Sequence, residues 1–144
     1  MFKHELPSDS VGLQLWVAYN KWHSEVMKLL KPLNINHTQF VILASILWCN
    51  KNKSETTQTE VVNITGLDKM TLSKSMKALV ANDLITKDKG VRDSRSYSLR
   101  LTKTGEALTI NAIAQVEELD QLYFESLKGE RGLFISLLAG LKSP

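Results

Sequence analysis

The chain has few of the features that mark secreted or membrane proteins. Cys49 is the only cysteine among 144 residues, so neither an intramolecular disulfide nor a cysteine-based zinc site can form within one chain. The longest apolar run, FVILASILW, is far shorter than the ~20 residues of a membrane span. The opening residues, MFKHELPSDS, lack the basic and apolar regions of a signal peptide. We therefore expect a cytoplasmic protein with a single globular domain.

The sequence also lacks the common signatures of catalysis. His4, His23 and His37 all lie in the N-terminal quarter and have no metal-ligand spacing. There is no glycine-rich phosphate-binding loop and no nucleophile elbow. We expect no enzyme, no catalytic residue, no metal and no cofactor. Zinc-responsive regulation would require the histidines to converge with carboxylates.

Positive charge is concentrated in the middle of the chain. Residues 1–50 carry four positive and three negative side chains, residues 51–104 carry eleven and six, and residues 105–144 carry three and six. A basic segment favours contact with a polyanion, because each neutralised phosphate releases counterions. The pattern indicates a nucleic-acid partner, although a solvated basic surface has the same composition.

Capping residues and apolar spacing predict a mainly α-helical protein with a small β-hairpin. The first helix begins near 8–10 and ends before Pro32, and the second opens at Asn36 with Gln39 in a capping box. Thr57 and Glu60 form a second capping-box pattern, which opens a short helix that reaches about Ile64. Further helices are predicted from 69 to 82, from Thr102 to a break near Gly129, and at the C-terminus.

The helix predicted over 69–82 follows the turn TGL, and its two sides differ in chemistry. Leu72, Met76, Leu79 and Val80 make an apolar side, and the helix has no carboxylate. Lysines and hydroxyls can bond phosphates and base edges, so this second helix of a helix-turn-helix is a candidate recognition helix. Its candidate DNA-binding residues are Lys69, Met70, Thr71, Ser73, Lys74 and Lys77.

A hairpin with a basic tip is predicted after this helix. LIT reads as one short strand, and in SYSLRL the residues Tyr97, Leu99 and Leu101 alternate with polar ones. We expect those three side chains to fix the hairpin to the core. The connection is longer than a two-residue turn and forms a protruding tip over 88–96. Helix-turn-helix followed by such a hairpin is the layout of a winged helix.

The segments TGLDKMTLSKSMKALVANDLI and DSRSYSLRLTKTGEAL resemble the MarR family of bacterial transcription regulators. The family's wing has an Asp-x-Arg-[Ala/Ser] pattern followed by Leu-Thr-x-x-Gly, which Asp93, Arg95, Thr102 and Gly105 match here. One departure is AND at 81–83, where many relatives have a glycine. Asn82 or Asp83 is then expected to adopt the left-handed conformation.

The resemblance implies a single domain over 1–144 and a homodimer that binds double-stranded DNA. A winged-helix part over about 36–101 would bind a pseudo-palindromic operator, and helices over about 8–31 and 102–142 would pair with a second copy. The recognition helix 69–82 would enter the major groove and the wing 88–96 the minor groove. Repression is favoured because a dimer on a promoter blocks polymerase.

The resemblance also assigns roles to the wing residues. Arg95 would enter the minor groove, whose negative potential in A·T-rich DNA attracts a weakly hydrated guanidinium. Asp93 would brace that arginine by a charge-assisted hydrogen bond. Arg92 and Lys89 would contact phosphates. The alternative for Asp93 and Arg95 is an ordinary surface ion pair.

Three alternatives stay open at the level of sequence. The aromatic residues Trp16, Tyr19, Trp22 and Trp48 are candidates for a pocket that takes a small aromatic effector, although residues at helical spacing are more often core. Cys49 is either a small buried filler or a redox sensor. The winged helix would otherwise be a protein-interaction adaptor that does not bind DNA.

Overall fold

A computed structural model of the chain describes residues 1–53, 55–89 and 97–142. In these ranges the protein has six α-helices and one antiparallel hairpin, which confirms the predicted mainly α fold with a β wing. None of the described helices is long and apolar enough to cross a membrane. The helices are α1 (Val11–Leu30), α2 (His37–Asn52), α3 (Gln58–Thr65), α4 (Lys69–Ala81), α5 (Lys103–Tyr123) and α6 (Arg131–Gly140), and the strands are β1 (Ile85–Lys89) and β2 (Tyr97–Leu101).

Side-chain caps set the starts of most helices where the sequence predicts them. Ser10 accepts a hydrogen bond from the Leu13 amide at the start of α1. Asn36 and Gln39 form the complete capping box of α2, with bonds of 2.8 and 2.9 Å. At α3 only half of the predicted box forms. Thr57 Oγ1 accepts from the Glu60 amide, while the Glu60 carboxylate lies 3.8 Å from Lys53 Nζ.

Helix α2 is the centre of the core, as its nearly continuous apolar sequence predicts. Ile42, Leu43 and Ile46 are fully buried, and the helix packs against α1, α3, α4, α5 and β2. Burying three such side chains contributes roughly 1.5–3 kcal/mol each to folding. The winged-helix part is therefore built around α2, and its recognition helix and hairpin are positioned from that helix.

Helix α5 packs against α1 as well as against α2. Trp22 Nε1 on α1 donates to Asp120 on α5 (2.8 Å), and Tyr123 Oη donates to the Ala18 carbonyl (3.1 Å). The predicted break near Gly129 is a 3-10 segment over Glu125–Glu130, in which Lys128 has a φ of 48°. Helix α6 then runs on without a single buried residue. The predicted apolar stripe of α1 is only partly covered, since Leu15 and Tyr19 are exposed.

Candidate nucleic-acid interface

Helices α3 and α4 form the predicted helix-turn-helix. Gly66 ends α3 in the left-handed conformation, with a φ of 71° that L side chains adopt at a cost. The Leu67 amide then donates to Thr65 Oγ1 (3.2 Å), and Asp68 begins α4. The turn is thus held by local hydrogen bonds, and it fixes the direction in which α4 leaves the domain.

One face of α4 is buried, and the opposite face is exposed and basic. Leu72, Met76 and Leu79 are buried as predicted, whereas Val80 is 43% exposed, so its assignment to the apolar side was wrong. Val80 lies in the last turn of the helix and lines an open cleft with Met76 and Lys87, beside the buried Leu79. The exposed residues of α4 include Lys69, Met70, Ser73, Lys74 and Lys77.

The N-terminus of α4 is held by a carboxylate that accepts two hydrogen bonds. Asp68 Oδ1 accepts from the Thr71 amide and Oδ2 from the Thr71 hydroxyl, both at 2.7 Å. These bonds lower the pKa of Asp68, the backbone bond contributing most. Thr71 is half-buried, and its hydroxyl proton is used within the chain. The sequence predicted the cap but not this second bond, which leaves Thr71 an acceptor and a methyl group for any ligand.

The hairpin stands beside α4, and its strands pair from Ile85↔Leu101 to Lys89↔Tyr97. Lys89 is exposed at the end of β1. Arg92 and Arg95, which were predicted to contact DNA, and Asp93, which was predicted to brace Arg95, lie outside the described residues. The structure therefore defines only the base of the predicted wing.

Tyr97 was predicted to be one of the side chains that fix the hairpin to the core, and this prediction was wrong. Its side chain is 48% exposed, and Lys87 Nζ lies 4.4 Å from the ring centroid in a cation–π contact. Leu99 is fully buried and Leu101 half-buried, as predicted. Ser98, which the alternation placed on the polar side, is buried, so the expected alternation of buried and exposed side chains does not hold at the start of β2.

Asn50 and Thr56 attach β2 to the core, a role that the sequence did not reveal. The Asn50 amide nitrogen donates to the Leu99 carbonyl (3.0 Å) and to Thr56 Oγ1 (2.8 Å), and its oxygen accepts from the Leu101 amide (3.3 Å). The Leu99 amide donates to the Thr56 carbonyl (2.8 Å). Both residues belong to a segment that reads as a polar break. No local pattern in the sequence marks them as partners of a distant strand.

The Leu-Thr-x-x-Gly motif joins the hairpin to α5. Thr102 Oγ1 caps α5 by accepting from the Gly105 amide (2.9 Å) and donates to the Asp83 carbonyl (2.7 Å). A Cβ at Gly105 would lie 1.9 Å from the Leu84 carbonyl oxygen. Only glycine therefore fits this helix against the chain entering β1. The left-handed residue expected at 82 or 83 is Asp83, with a φ of 58°.

The residues predicted for an effector pocket lie on two different helices. On α1, Tyr19 stacks on His23 with ring centroids 5.4 Å apart, and Trp22 packs against His37 at 5.0 Å. Trp16 on α1 and Trp48 on α2 are exposed. Three clefts on the described surface are lined by other side chains. The effector role of these aromatic residues stays a prediction.

Cys49 is fully buried at the end of α2. Burial raises the pKa of its thiol, and the negative charge of Glu60 raises it further, against a smaller opposing effect of Lys53. A raised pKa reduces the thiolate fraction, and the thiolate is the species that oxidants attack. The environment fits the buried-filler interpretation and disfavours the redox alternative.

The histidines do converge in part. His23 and His37 are in contact, whereas His4 is exposed in the N-terminal segment. Within the ranges that the structure describes, no three His, Cys, Asp or Glu side chains come together in a way that could hold a metal ion.

The arrangement of α2, α3, α4 and the hairpin is that of a winged helix, and a family comparison agrees. Residues 31–119 match the model of the ArnR1-like winged-helix domain. The chain belongs to the ArnR1-like winged-helix family. The matched range covers all of the helix-turn-helix, the hairpin and most of α5. The family and fold are those of transcription regulators, as the sequence predicted, and not those of enzymes.

This winged-helix chain is also similar along nearly its whole length to individual proteins. It is 28% identical over 136 residues to the uncharacterized HTH-type transcriptional regulator YdcH of Bacillus subtilis, covering 94% of this chain and 92% of the relative. BpsR of Bordetella bronchiseptica, whose DNA binding is regulated by 6-hydroxynicotinic acid, has a similar structure with a TM-score of 0.84 at 23% identity, covering 98% and 99% of the two chains. A mutant MarR from E. coli complexed with operator DNA has a similar structure with a TM-score of 0.78 at 21% identity, covering 93% of this chain and 94% of that chain. These similarities confirm the MarR-like fold that the motifs implied.

Proposed function

We propose that the chain is a DNA-binding transcription regulator that acts as a homodimer in the cytoplasm. As the MarR resemblance implies, a winged-helix part over about 36–101 would bind DNA, and the helices before and after it would form the dimer. The observation that carries the proposal is the exposed face of α4, which is basic and has no carboxylate within the helix. A helix of this kind can approach the DNA backbone without repulsion.

The residues of α4 offer different contacts to a major groove. Lys74 and Lys77 are exposed cations, suited to phosphates or to the acceptor edge of guanine. Ser73 offers a hydroxyl, and Met70, with 83% of its surface exposed, an apolar contact for a thymine methyl. Thr71 enters the interface only as an acceptor or through its methyl group, because its hydroxyl proton is bound to Asp68. Lys69 is the first residue of α4, where its ammonium group would contact DNA phosphates.

The wing is proposed to bind the adjacent minor groove. Lys89 supplies a cation at the end of β1, and Arg92 and Arg95 follow in the sequence. Asn50 and Thr56 tie the base of the hairpin to α2, the same helix against which α4 packs. The two DNA-contacting elements therefore share one rigid support. A fixed base reduces the entropy that the wing loses on docking.

The apolar surface of α1 and α6 supports the homodimer. Helix α6 is mostly apolar, yet none of its residues is buried within the chain. Contiguous apolar patches of this size are uncommon on a monomer. A second copy of the same surface is the simplest cover, since most oligomers are symmetric. The exposed apolar residues of these helices include Val11, Leu13, Leu15, Trp16 and Val17 on α1 and Leu133, Ile135, Leu137 and Leu138 on α6.

Regulation by a small molecule is proposed by analogy with BpsR. An aromatic effector that binds near Trp16 or Tyr19 would act on α1, which carries part of the dimer surface, and one near Trp48 would act on α2, the central helix of the winged-helix part. The dimer is proposed to repress, because a protein bound across a promoter excludes polymerase. The adaptor alternative lacks a supporting observation, since it gives no reason for an acid-free basic face.

Selection of bound sequences from a random duplex pool tests the proposal. We expect a pseudo-palindromic site with half-sites one helical turn apart, about 10 bp, or a multiple of it. Lys74→Ala should weaken binding to the selected duplex and lower its salt dependence, and Arg95→Ala should weaken binding with an unchanged thermal midpoint. Lys21→Ala, an exposed lysine on α1, is the matched control and should bind as the wild type does. An unenriched pool would favour the adaptor.

A further inference from the structure

His23 and His37 form a direct hydrogen bond between α1 and α2. Their Nδ1 atoms are 2.7 Å apart, the ring planes differ by 17°, and the ring centroids are 4.9 Å apart. Rings stacked face to face could not combine this short contact with this centroid separation. The imidazoles therefore lie side by side in nearly one plane, joined edge to edge. In this geometry one Nδ1 carries a proton and donates, and the other accepts.

The pair lies in a mostly apolar environment. His37 is 8% exposed, and the ring of Trp22 packs edge-on against it. The titratable groups that face the pair are Tyr19 on α1, which stacks on His23, and Asp120 on α5, whose negative charge acts on His37. Asp120 is itself engaged by Trp22 Nε1 at 2.8 Å. Asp120 therefore opposes the effects of burial and of His23 on the charge of His37, while it is already bonded to Trp22.

The number of protons bound by His23 and His37 determines whether their hydrogen bond can form. A first proton can bind the outer nitrogen of the donating ring, which leaves the bond in place and makes it charge-assisted. A second proton must occupy the accepting Nδ1. That step removes the bond and places two cations in contact where water is scarce, with Asp120 as partial compensation. The hydrogen bond between the two rings can therefore exist when the pair has taken up no proton or one proton, but not when it has taken up two.

The direction of the pKa shift agrees with this geometry. The pKa of His37 lies below its ordinary value of 6.5, mainly because of burial and then because of His23, while Asp120 opposes the shift. A base with a lowered folded pKa contributes stability that is fully present above 6.5. That stability is lost as the pH falls from 6.5 toward the folded pKa, because the unfolded chain takes up the proton first.

The two histidines join α1 to α2, so their protonation can affect how these helices are held together. His23 lies on α1, which carries part of the proposed dimer surface, and His37 is the first residue of α2, the central helix of the winged-helix part. The spacing of two recognition helices in a dimer depends on how α1 and α2 are joined. We propose that the His23–His37 pair is a pH-sensitive contact through which acidification loosens α1 from the winged helix and weakens DNA binding. The DNA effect rests on the proposed function; the proton-linked contact itself does not.

Two measurements on the full chain test the pair separately from the function. The first follows the imidazole resonances by NMR between about pH 8 and pH 5. We expect the pKa of the His37 ring to lie below its ordinary value in the wild type, because burial and the neighbouring His23 disfavour its charged form, and to rise in His23→Gln, where the second cation cannot form. An unchanged pKa of His37 in His23→Gln would overturn the proposed contact, whether or not the chain binds DNA.

The second measurement is the affinity for the selected duplex at about pH 7.5 and pH 5.5 and at constant ionic strength. We expect the wild type to bind roughly tenfold more weakly at the lower pH, a loss within the usual range of coupling between two sites. His23→Gln offers His37 a partner that never becomes charged, so this variant should lose much less, and His4→Gln should match the wild type. Equal losses in the wild type and His23→Gln would overturn the proposal. A failure of all variants to bind at the higher pH would instead contradict the proposed function and the DNA effect with it.

Discussion

The junction between the hairpin and α5 makes a sharp prediction for Gly105→Ala. The added methyl group would lie 1.9 Å from the Leu84 carbonyl oxygen, 2.8 Å from its carbon and 3.1 Å from its Cα. All three are backbone atoms, so no side-chain rotation can relieve the overlap. Ordinary van der Waals contact begins near 3.4 Å, and α5 or the chain entering β1 must therefore shift by more than about 1 Å. The shift would strain the bond from the Thr102 amide to the Leu84 carbonyl (3.1 Å).

Overpacking of a well-packed site costs about 1–3 kcal/mol, and a backbone clash belongs at the upper end, about 3 kcal/mol. For a chain of this size that corresponds to a fall of roughly 6–12 °C in the thermal midpoint. Urea unfolding followed by circular dichroism at fixed protein concentration measures the free energy directly. Gly12→Ala is the control, since its added Cβ meets only Ser10 Oγ at 3.9 Å. A Gly105→Ala protein within about 0.5 kcal/mol of the wild type would refute the reasoning.

Two further predictions concern α4 and Cys49. Asp68→Ala should lower the thermal midpoint by removing the cap of α4, whereas Asp68→Asn should retain most of it. Because the pKa of Asp68 is lowered in the folded protein, its contribution to stability is present above pH 3.8 and is lost as the pH falls through the folded pKa. The thermal midpoints of the wild type and Asp68→Ala should therefore converge in acid. A difference that stays constant with pH would contradict the assignment. Because burial raises the pKa of Cys49, iodoacetamide should modify the folded protein far more slowly than the urea-unfolded chain, and equal rates would revive the redox alternative.

Local rules account for what the sequence predicted well. Helix starts at Ser10, Asn36 and Asp68 depend on side chains that bond amides about two or three residues away, so they can be read without a fold. The exposed face of α4 follows from helical periodicity alone. The family motif added what periodicity lacks, because it marks Gly105 as a special position at the start of α5.

The features that sequence could not supply depend on contacts between distant segments. The link from Asn50 to Leu99 spans 49 positions, and the contact between His23 and His37 arises from the packing of two helices. Tyr97 shows the reverse error, since strand alternation was taken to mean burial, whereas Tyr97 is exposed and the adjacent Ser98 is buried. Periodicity tells which residues share a face, but only the tertiary structure tells how far the core extends along it.

DNA binding through the basic face of α4 and the wing can be examined by a single salt titration. The dissociation constant for the selected duplex is measured by fluorescence anisotropy from low to physiological potassium chloride. We expect the logarithm of affinity to fall linearly with the logarithm of salt concentration, by about 0.9 for each phosphate contacted, and Lys74→Ala to reduce this slope. Absence of binding at the lowest salt, or an affinity that does not change with salt, would contradict the proposed DNA contacts.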